Sequence, residues 1–110
     1  MTDKIVILVT VPNQEEGRRL ARHLLEAKLA ACINITQPVE SIYRWGGKIT
    51  VDQECQLFIK TVRGLFPEVQ SAISELHSYQ TPEVICVPIV DGSRKYLEWV
   101  SDSVKPSGPS

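Results

Sequence analysis

A short polar segment carries the side chains best suited to chemistry. It places an imidazole at His77, a phenol at Tyr79 and a carboxylate at Glu83 within seven residues. Imidazole and carboxylate groups are competent ligands of copper and zinc. A lone histidine at a helix end is just as typical of a cap that pairs with the helix dipole. The segment therefore indicates either a metal ligand at His77 or a structural cap.

The three cysteines, Cys32, Cys55 and Cys86, lie far apart. An odd number of widely separated cysteines within apolar runs fits neither a secreted disulfide framework nor a closely spaced zinc site. Cys32 and Cys55 fall in apolar alternation, which favours small buried core positions over metal ligation. A soft sulfur together with an imidazole would favour copper. We expect free thiols, a reducing compartment and hence a cytoplasmic protein.

Three aromatic side chains, Tyr43, Trp45 and Tyr79, could stack on a ligand. Aromatic residues near the tip of a hairpin are more often anchors of a protein interface. The interface interpretation is therefore favoured.

Two features bear on anion binding. Lys60 could hold an anion, or it could pair across strands with Glu54 or Glu83, and the second interpretation is favoured. Residues 10–13 offer backbone donors before a helix, but they lack the glycines that let a phosphate approach closely. A nucleotide site there is not expected.

Length and charge limit the class of protein. The chain has 110 residues, with 12 basic and 13 acidic side chains and a net charge of -1. This length predicts one domain, which we assign to residues 1–104, with a disordered polar tail over residues 105–110. The balanced charge gives no field for nucleic acid or an anionic membrane. The apolar run over residues 5–12 is too short for a membrane span.

Hydrophobic periodicity predicts the first elements. A β-branched run over residues 5–11 is typical of a central strand. Asn13 and Glu16 have a capping-box spacing before a helix, whose apolar side carries Leu20, Ala21, Leu24, Leu25 and Leu29. From residue 31 the period becomes two, and Ile33, Ile35, Val39, Tyr43 and Trp45 share one parity. Pro38 marks a fault within this long strand.

The second half continues the pattern. Residues 45–48 predict a hairpin turn, and clean alternation then runs from Ile49 to Lys60. A second helix is predicted from Phe66 to Leu76, with Pro67 in its first turn and His77 at its end. A fourth strand over residues 84–90 and a short helix capped by Ser93 complete the chain.

The order βαββαβ with an extra C-terminal helix predicts an α+β, ferredoxin-like fold, an antiparallel sheet with its helices on one face. A strand over residues 31–43 would be roughly 40 Å long at about 3.3 Å per residue. Such a hairpin must overhang the body and expose its edges. Pairing with further copies of the same chain in a closed ring would cover these edges, so we expect an oligomer.

Other classes fit less well. The positions of the two histidines do not suggest a Ser-His-Asp catalytic triad, so we expect no enzyme. The element order is shared with RNA-recognition modules, but the basic and aromatic strand signature of those modules is missing. We therefore expect no nucleic-acid partner, no membrane partner and no organic cofactor.

Several segments together resemble the CutA divalent-cation-tolerance proteins. They are residues 29–34 (LAACIN), 41–48 (SIYRWGGK), 60–61 (KT), 77–83 (HSYQTPE) and 96–99 (YLEW). These segments span nearly the whole chain in the right order. The match is therefore specific.

This resemblance implies a ferredoxin-like protomer in a homotrimer similar in architecture to the PII signalling proteins, with the long hairpins paired between subunits. It also implies a role in tolerance of divalent metals such as copper. A cleft between subunits would hold a metal ion or a small ligand. Its candidate lining residues here are Cys32, Tyr43, Arg44, Trp45, Lys60, Tyr79 and Glu83, with His77 as the candidate metal ligand.

The chain departs from the copper site proposed in this family, which uses a first-strand cysteine and a histidine pair before Pro-Tyr. Val9, Leu76 and His77 occupy those positions here, and Ser78 replaces the proline. A copper site of that design is not expected. The predicted function is a trimeric, non-enzymatic protein of metal tolerance. The alternative is a PII-like regulator that binds a nucleotide or other effector and a protein partner, for which the predicted hairpin turn is short.

Overall fold

The computed structural model describes residues 2–107 and contains five strands, three α-helices and one 3-10 turn. The strands are β1 (Lys4–Val11), β2 (Cys32–Ile35), β3 (Val39–Trp45), β4 (Lys48–Val62) and β5 (Val84–Pro88). The helices are α1 (Gln14–Glu26), α2 (Phe66–Leu76) and α3 (Arg94–Ser103), and the 3-10 turn Arg63–Leu65 precedes α2.

The sheet is antiparallel throughout and has the strand order β2-β4-β1-β5, with β3 also paired to β4. β1 lies between two neighbours, which explains its β-branched sequence. One face of the sheet packs against α1 and α2 around a core that includes Ile7, Leu24, Leu57, Ile59 and Ile73. The predicted α+β, ferredoxin-like fold is confirmed.

Helix α1 begins as the sequence predicts, because the Asn13 side chain accepts a hydrogen bond of 2.8 Å from the Glu16 amide. Its end differs from the prediction. The helix stops at Glu26, and Lys28 has a φ of 57°, so that the Leu29 amide bonds to the Leu24 carbonyl at 2.9 Å. This is a Schellman ending. Leu29 is therefore a core residue outside the helix, and Leu25, predicted on the core side, is exposed.

The C-terminal half follows the prediction more closely. Pro67 lies in the first turn of α2, and the Ser93 side chain caps α3. β5 is an edge strand and ends at Pro88, before the predicted limit at residue 90, although the Ile89 amide still bonds to the Lys4 carbonyl at 3.0 Å. No helix within residues 2–107 is long and apolar enough to cross a membrane.

The predicted tail is described only over residues 105–107. Within that part, the Lys105 amide bonds to the Lys28 carbonyl at 2.9 Å, and its ammonium bonds to Glu68 at 2.5 Å. Lys105 therefore packs on the body. Residues 108–110 of the predicted tail lie outside the described residues.

The long β4 pairs along one edge with both β2 and β3, and the predicted fault separates these two strands. Ile35 pairs with Leu57 and Val39 pairs with Glu54, so residues 36–38 face only two residues of β4. One segment thus carries an extra residue, as in a β-bulge. Pro38 has no amide hydrogen to donate, which suits it to this position.

The extra residue reverses the faces of β3, which corrects the shared parity predicted for Ile33, Tyr43 and Trp45. A shift of one residue moves every following side chain to the opposite face of a sheet. Ile33 therefore faces the helices, whereas Tyr43 and Trp45 lie on the other face. Ile42, which had the polar parity, continues the core face instead.

β3 and residues 48–54 of β4 form an arm that projects beyond the helices. Its strands are joined by a two-residue turn at Gly46 and Gly47, as predicted, with φ values of 58° and 77°. Two positive φ values define the primed turn that matches the twist of a hairpin. The arm makes the described chain 43 Å long but only about 26 Å wide.

We expect Gly47→Ala to lower the free energy of unfolding by about 1–2 kcal/mol, because a Cβ is unfavourable at positive φ. Apart from Gly47 itself and its two chain neighbours, no atom lies within 4 Å of a Cβ built there, so the cost is conformational. Urea denaturation measures it, with Lys48→Ala beside the turn as the control. Equal stabilities of the two variants would contradict this account of the turn.

Candidate functional site

A cavity of about 720 Å³ lies at the base of the arm, and we call it the arm-base cavity. It forms where the arm meets β4 and the segment between α2 and β5. Its walls combine aromatic rings and acidic or amide groups, mainly from Tyr43, Trp45, Glu54, Gln56, Tyr79 and Glu83. Ligand sites in proteins commonly have volumes of roughly 300–1,000 Å³.

Alternation along β4 supplies the polar floor. Asp52, Glu54 and Gln56 are two residues apart, so they share the face opposite Cys55 and Leu57, which are buried in the core. Glu54 is only 7% exposed, and its Oε2 accepts a hydrogen bond of 2.7 Å from the Tyr79 hydroxyl. The Tyr43 hydroxyl donates in the same way to Asp52. Both phenols are therefore fixed by carboxylates.

Gln56 connects the sheet to the far wall. Its Oε1 accepts a hydrogen bond of 3.1 Å from the Thr10 hydroxyl, and its Nε2 donates to Glu83 Oε2 at 3.0 Å. Because the amide acceptor is used by Thr10, the amide donor is directed towards Glu83. This arrangement positions the Glu83 carboxylate at the rim of the cavity.

His77 positions Tyr79 from behind the cavity. Its Nε2 lies 2.7 Å from the Thr10 carbonyl oxygen, which can only accept, so Nε2 carries the hydrogen. Its Nδ1 accepts a hydrogen bond of 2.9 Å from the Tyr79 amide. The ring also packs against the Tyr79 ring, with 4.8 Å between their centroids. His77 is thus a buried structural link between β1 and the segment that carries Tyr79.

Helix α1 holds the same segment from the other side. Glu16 Oε2 accepts a hydrogen bond of 3.0 Å from the Ser78 amide, and Arg19 donates to the Leu76 carbonyl at 2.9 Å. The Glu16 carboxylate therefore bonds across the structure rather than completing the predicted capping box. Burial acts to raise the pKa of Glu16, but the hydrogen bonds from Ser78 and the nearby charges outweigh it and lower this pKa.

The environments of the tyrosines favour the neutral phenol. Burial, followed by the hydrogen bond to Glu54, raises the pKa of Tyr79 far above its ordinary value. The hydrogen bond to Asp52 raises the pKa of Tyr43. Away from the cavity, burial and the neighbouring Cys32 thiol raise the pKa of Tyr96.

The structure brings four of the predicted site residues together in the arm-base cavity: Tyr43, Trp45, Tyr79 and Glu83. Arg44 lies on the opposite face of the arm, because neighbouring residues of a strand alternate. Cys32 and Lys60 face each other across β2 and β4 at the other end of β4, away from the cavity.

Two details at that end of the sheet correct the sequence interpretation. Lys60 was predicted to pair with Glu54 or Glu83, but its ammonium bonds to Asn34 on β2. Glu54 lies six residues along the same strand, β4, which is about 20 Å away at about 3.3 Å per residue. Cys32 was predicted in the core. It is half-buried and reaches the Tyr96 hydroxyl, whereas Cys55 is buried as predicted.

Metal ligation was predicted for His77. Both of its ring nitrogens are hydrogen-bonded to backbone groups, so a metal ion would have to displace one of these bonds. Within residues 2–107, no group of three or more His, Cys, Asp or Glu side chains is arranged to hold a metal ion. His77 as a metal ligand therefore stays a prediction.

Sequence reasoning missed three residues that shape the cavity. Glu54 entered only as a partner for Lys60, and Asp52 and Gln56 only as the polar side of a strand. Their alternation with buried residues was the signal available, because it places all three on one face. The sequence could not predict that these three residues lie close to Tyr79, because this depends on the path of the segment after α2.

The fold and the cavity together define a ferredoxin-like domain with a projecting arm and an aromatic, acidic site at its base. The sequence pattern of the family described as "CutA1 divalent ion tolerance protein" matches residues 5–103. The chain therefore belongs to the CutA1 family, and the resemblance noted from its motifs is confirmed.

Individual relatives also support membership of this family. The "Divalent-cation tolerance protein CutA" of Thermus thermophilus is 43% identical over 98 residues, covering 89% of this chain and 95% of that protein. "Protein CutA, chloroplastic" of Arabidopsis thaliana is 46% identical over 101 residues, covering 92% of this chain and 56% of the plant protein. This chain thus spans little more than half of the plant relative.

A solved structure shows the same fold. The "Periplasmic divalent cation tolerance protein CutA from Archaeoglobus fulgidus" superposes with a TM-score of 0.90 and is 39% identical, covering 93% of this chain and 99% of that chain. The names of these relatives refer to a chloroplast and to a periplasm. A cytoplasmic location for this protein stays a prediction.

We expect the tyrosines of the folded protein to ionise at higher pH than those of the unfolded chain. Absorbance at about 295 nm, compared with and without guanidinium near pH 10.5, measures this difference. The raised pKa values imply a stability contribution that is complete below about pH 10 and is lost as pH rises through them. Glu54→Gln should move the Tyr79 transition to lower pH, whereas Glu75→Gln on the exposed side of α2 should not. Coincident curves for folded and unfolded protein would refute the assignment.

We expect Glu16→Gln to lower the free energy of unfolding at pH 7 by about 1 kcal/mol, because a charged acceptor is replaced by a neutral one. The lowered pKa of Glu16 means that its contribution is complete above its ordinary pKa of 4.5 and is lost as pH falls. The difference from the parent protein should therefore vanish in acid. Glu15→Gln, on the same helical turn but exposed, is the matched control for charge near the helix N-terminus. A constant difference from pH 3 to pH 7 would contradict this role.

Proposed function

We propose that this protein acts in divalent-cation tolerance as a non-enzymatic homotrimer that binds a divalent metal ion or a small ligand in clefts between its subunits. The arm-base cavity is the part of each cleft that one subunit supplies. Membership of the CutA1 family supports the tolerance role.

The observation that carries this proposal is the apolar face of the arm. Ile42, Ile49 and Val51 lie on the face that continues the core, yet they are 63%, 69% and 55% exposed. The body covers this face with helices, but the arm extends beyond them. Exposed apolar patches of this kind mark interaction surfaces. A second copy of the same arm has the matching length and unpaired strand edges.

The position of the cavity follows from the same geometry. Its outer wall is formed by Tyr43 and Trp45, which lie on the face of the arm opposite Ile49 and Val51. A subunit that pairs along the edge of the arm would reach both the apolar face and the cavity. A ring of three subunits, which the family resemblance implies, would create three equivalent clefts.

The chemistry of the cavity supports binding rather than catalysis. Its polar groups are carboxylates, phenols, hydroxyls and amides, and the nearby His77 has both ring nitrogens engaged. Among divalent ions, an oxygen ligand set suits magnesium, calcium or manganese better than copper. The three free cysteines support a reducing compartment such as the cytoplasm.

We expect Val51→Glu on the arm to weaken the trimer, because it places a charge in the apolar face of the proposed interface. Leu25→Glu on α1 is the control, since Leu25 is also an exposed apolar residue but lies away from the arm; Val51 and Leu25 are 55% and 40% exposed. Native mass spectrometry and sedimentation at micromolar concentration should report dissociation and a lower Tm only for the arm variant. A compact monomer for the parent protein would overturn the assembly and with it the inter-subunit cleft. The same spectra of protein from its own host report any retained metal or ligand.

A further inference from the structure

The arm-base cavity carries negative charge without a protein counter-charge. Glu54 and Glu83 line it, Asp52 lies behind Tyr43, and no lysine, arginine or histidine is among its lining residues. Within residues 2–107, the ion pairs of the structure involve none of these three carboxylates. The cavity therefore attracts cations.

Glu54 makes this preference specific. It is only 7% exposed, its Oε2 is bonded to the Tyr79 hydroxyl, and its Oε1 has no hydrogen-bond partner in the described part of the chain. Within residues 2–107, no fully buried side-chain oxygen lacks a hydrogen-bond partner, so this Oε1 faces the solvent of the cavity. The free oxygen of Glu54 is thus a place where a donor on a ligand can replace water.

The aromatic walls of the cavity also favour a positively charged ligand. The hydroxyl hydrogens of Tyr43 and Tyr79 are both donated to carboxylates. What these rings can offer a ligand is therefore oxygen lone pairs and π-faces. Trp45 adds a third π-system. Faces of tyrosine and tryptophan attract organic cations within about 6 Å of the ring centre.

We infer that the arm-base cavity binds a small organic ammonium ion, an inference that rests on the proposed function. The ammonium group would donate to Glu54 and Glu83, and its carbon chain would pack on Tyr43, Trp45 and Tyr79. Aromatic rings contribute little to a hydrated metal ion, whose affinity comes from several oxygen ligands in a fixed geometry. The volume of about 720 Å³ leaves room for the organic part of such a ligand.

Three probes of equal chain length test the charge requirement in the full-length protein as purified: n-butylammonium, n-butanol and n-pentanoate, at constant ionic strength. In a Trp99→Phe background, Trp45 supplies the one indole N–H signal in ¹H–¹⁵N spectra. We expect n-butylammonium to shift this signal with an affinity at least tenfold higher than n-butanol, and n-pentanoate to have no effect.

Two variants test the residues. Glu83→Gln at the exposed rim and Glu54→Gln on the floor should each weaken n-butylammonium binding about tenfold, and Glu75→Gln on α2 should leave it unchanged. Glu83→Gln leaves the core unchanged, so its effect on n-butylammonium affinity can be measured even if Glu54→Gln unfolds the protein. Parallel titrations with magnesium and copper chloride distinguish binding of an organic ammonium ion from the divalent-ion binding of the proposed function.

Equal binding of n-butanol and n-butylammonium would overturn the inference, because the site would then be merely apolar. Binding of a divalent ion that depends on Glu83, with no response to n-butylammonium, would overturn it while leaving the proposed function intact. Failure of all probes, with no ligand retained by host protein, would overturn both. Binding that requires the positive charge and both glutamates supports it.

Discussion

The architecture of the arm and of the cavity depends on one extra residue opposite β4. β4 is a continuous strand of 15 residues that pairs with β1, β2 and β3. Because residues 36–38 face only two residues of β4, β3 has the opposite face orientation from β2. This reversal places Tyr43 and Trp45 beside the acidic face of β4 and leaves Ile42 on the apolar face. Without it, the aromatic rings and the carboxylates would lie on different sides of the arm.

The second wall of the cavity is fixed by polar contacts to the backbone of the segment that carries Tyr79. His77 bonds to β1 through Thr10 and to the following segment through the Tyr79 amide. Glu16 bonds to the Ser78 amide from α1. Each such bond stabilises the fold by only about 1 kcal/mol, but breaking the bond between His77 and Thr10 would leave buried groups unsatisfied. The segment therefore holds Tyr79 in place without regular secondary structure, and the site is positioned before any ligand binds.

The sequence predicted most of the fold, and it predicted the residue types of the site better than their arrangement. Strong periodicity located β1, α2, α3 and the hairpin turn, and Asn13 and Ser93 marked helix starts correctly. The Schellman ending at Lys28 was missed because a lysine rarely adopts positive φ. Lys60 was paired with the wrong partners because its cross-strand neighbour depends on which strand lies beside β4, and that strand is β2, which carries Asn34.

The amino-acid sequence by itself determined the element order, the family and the presence of a long hairpin that projects from the body, because these follow from local periodicity, turn residues and motifs. Only the tertiary structure decided which faces of the arm meet. Pro38 signalled a fault, but a single unpaired residue reverses every later side chain only relative to a partner strand. The gathering of Tyr43, Trp45, Glu54, Tyr79 and Glu83 around one cavity is therefore a property of strand pairing, which no local pattern contains.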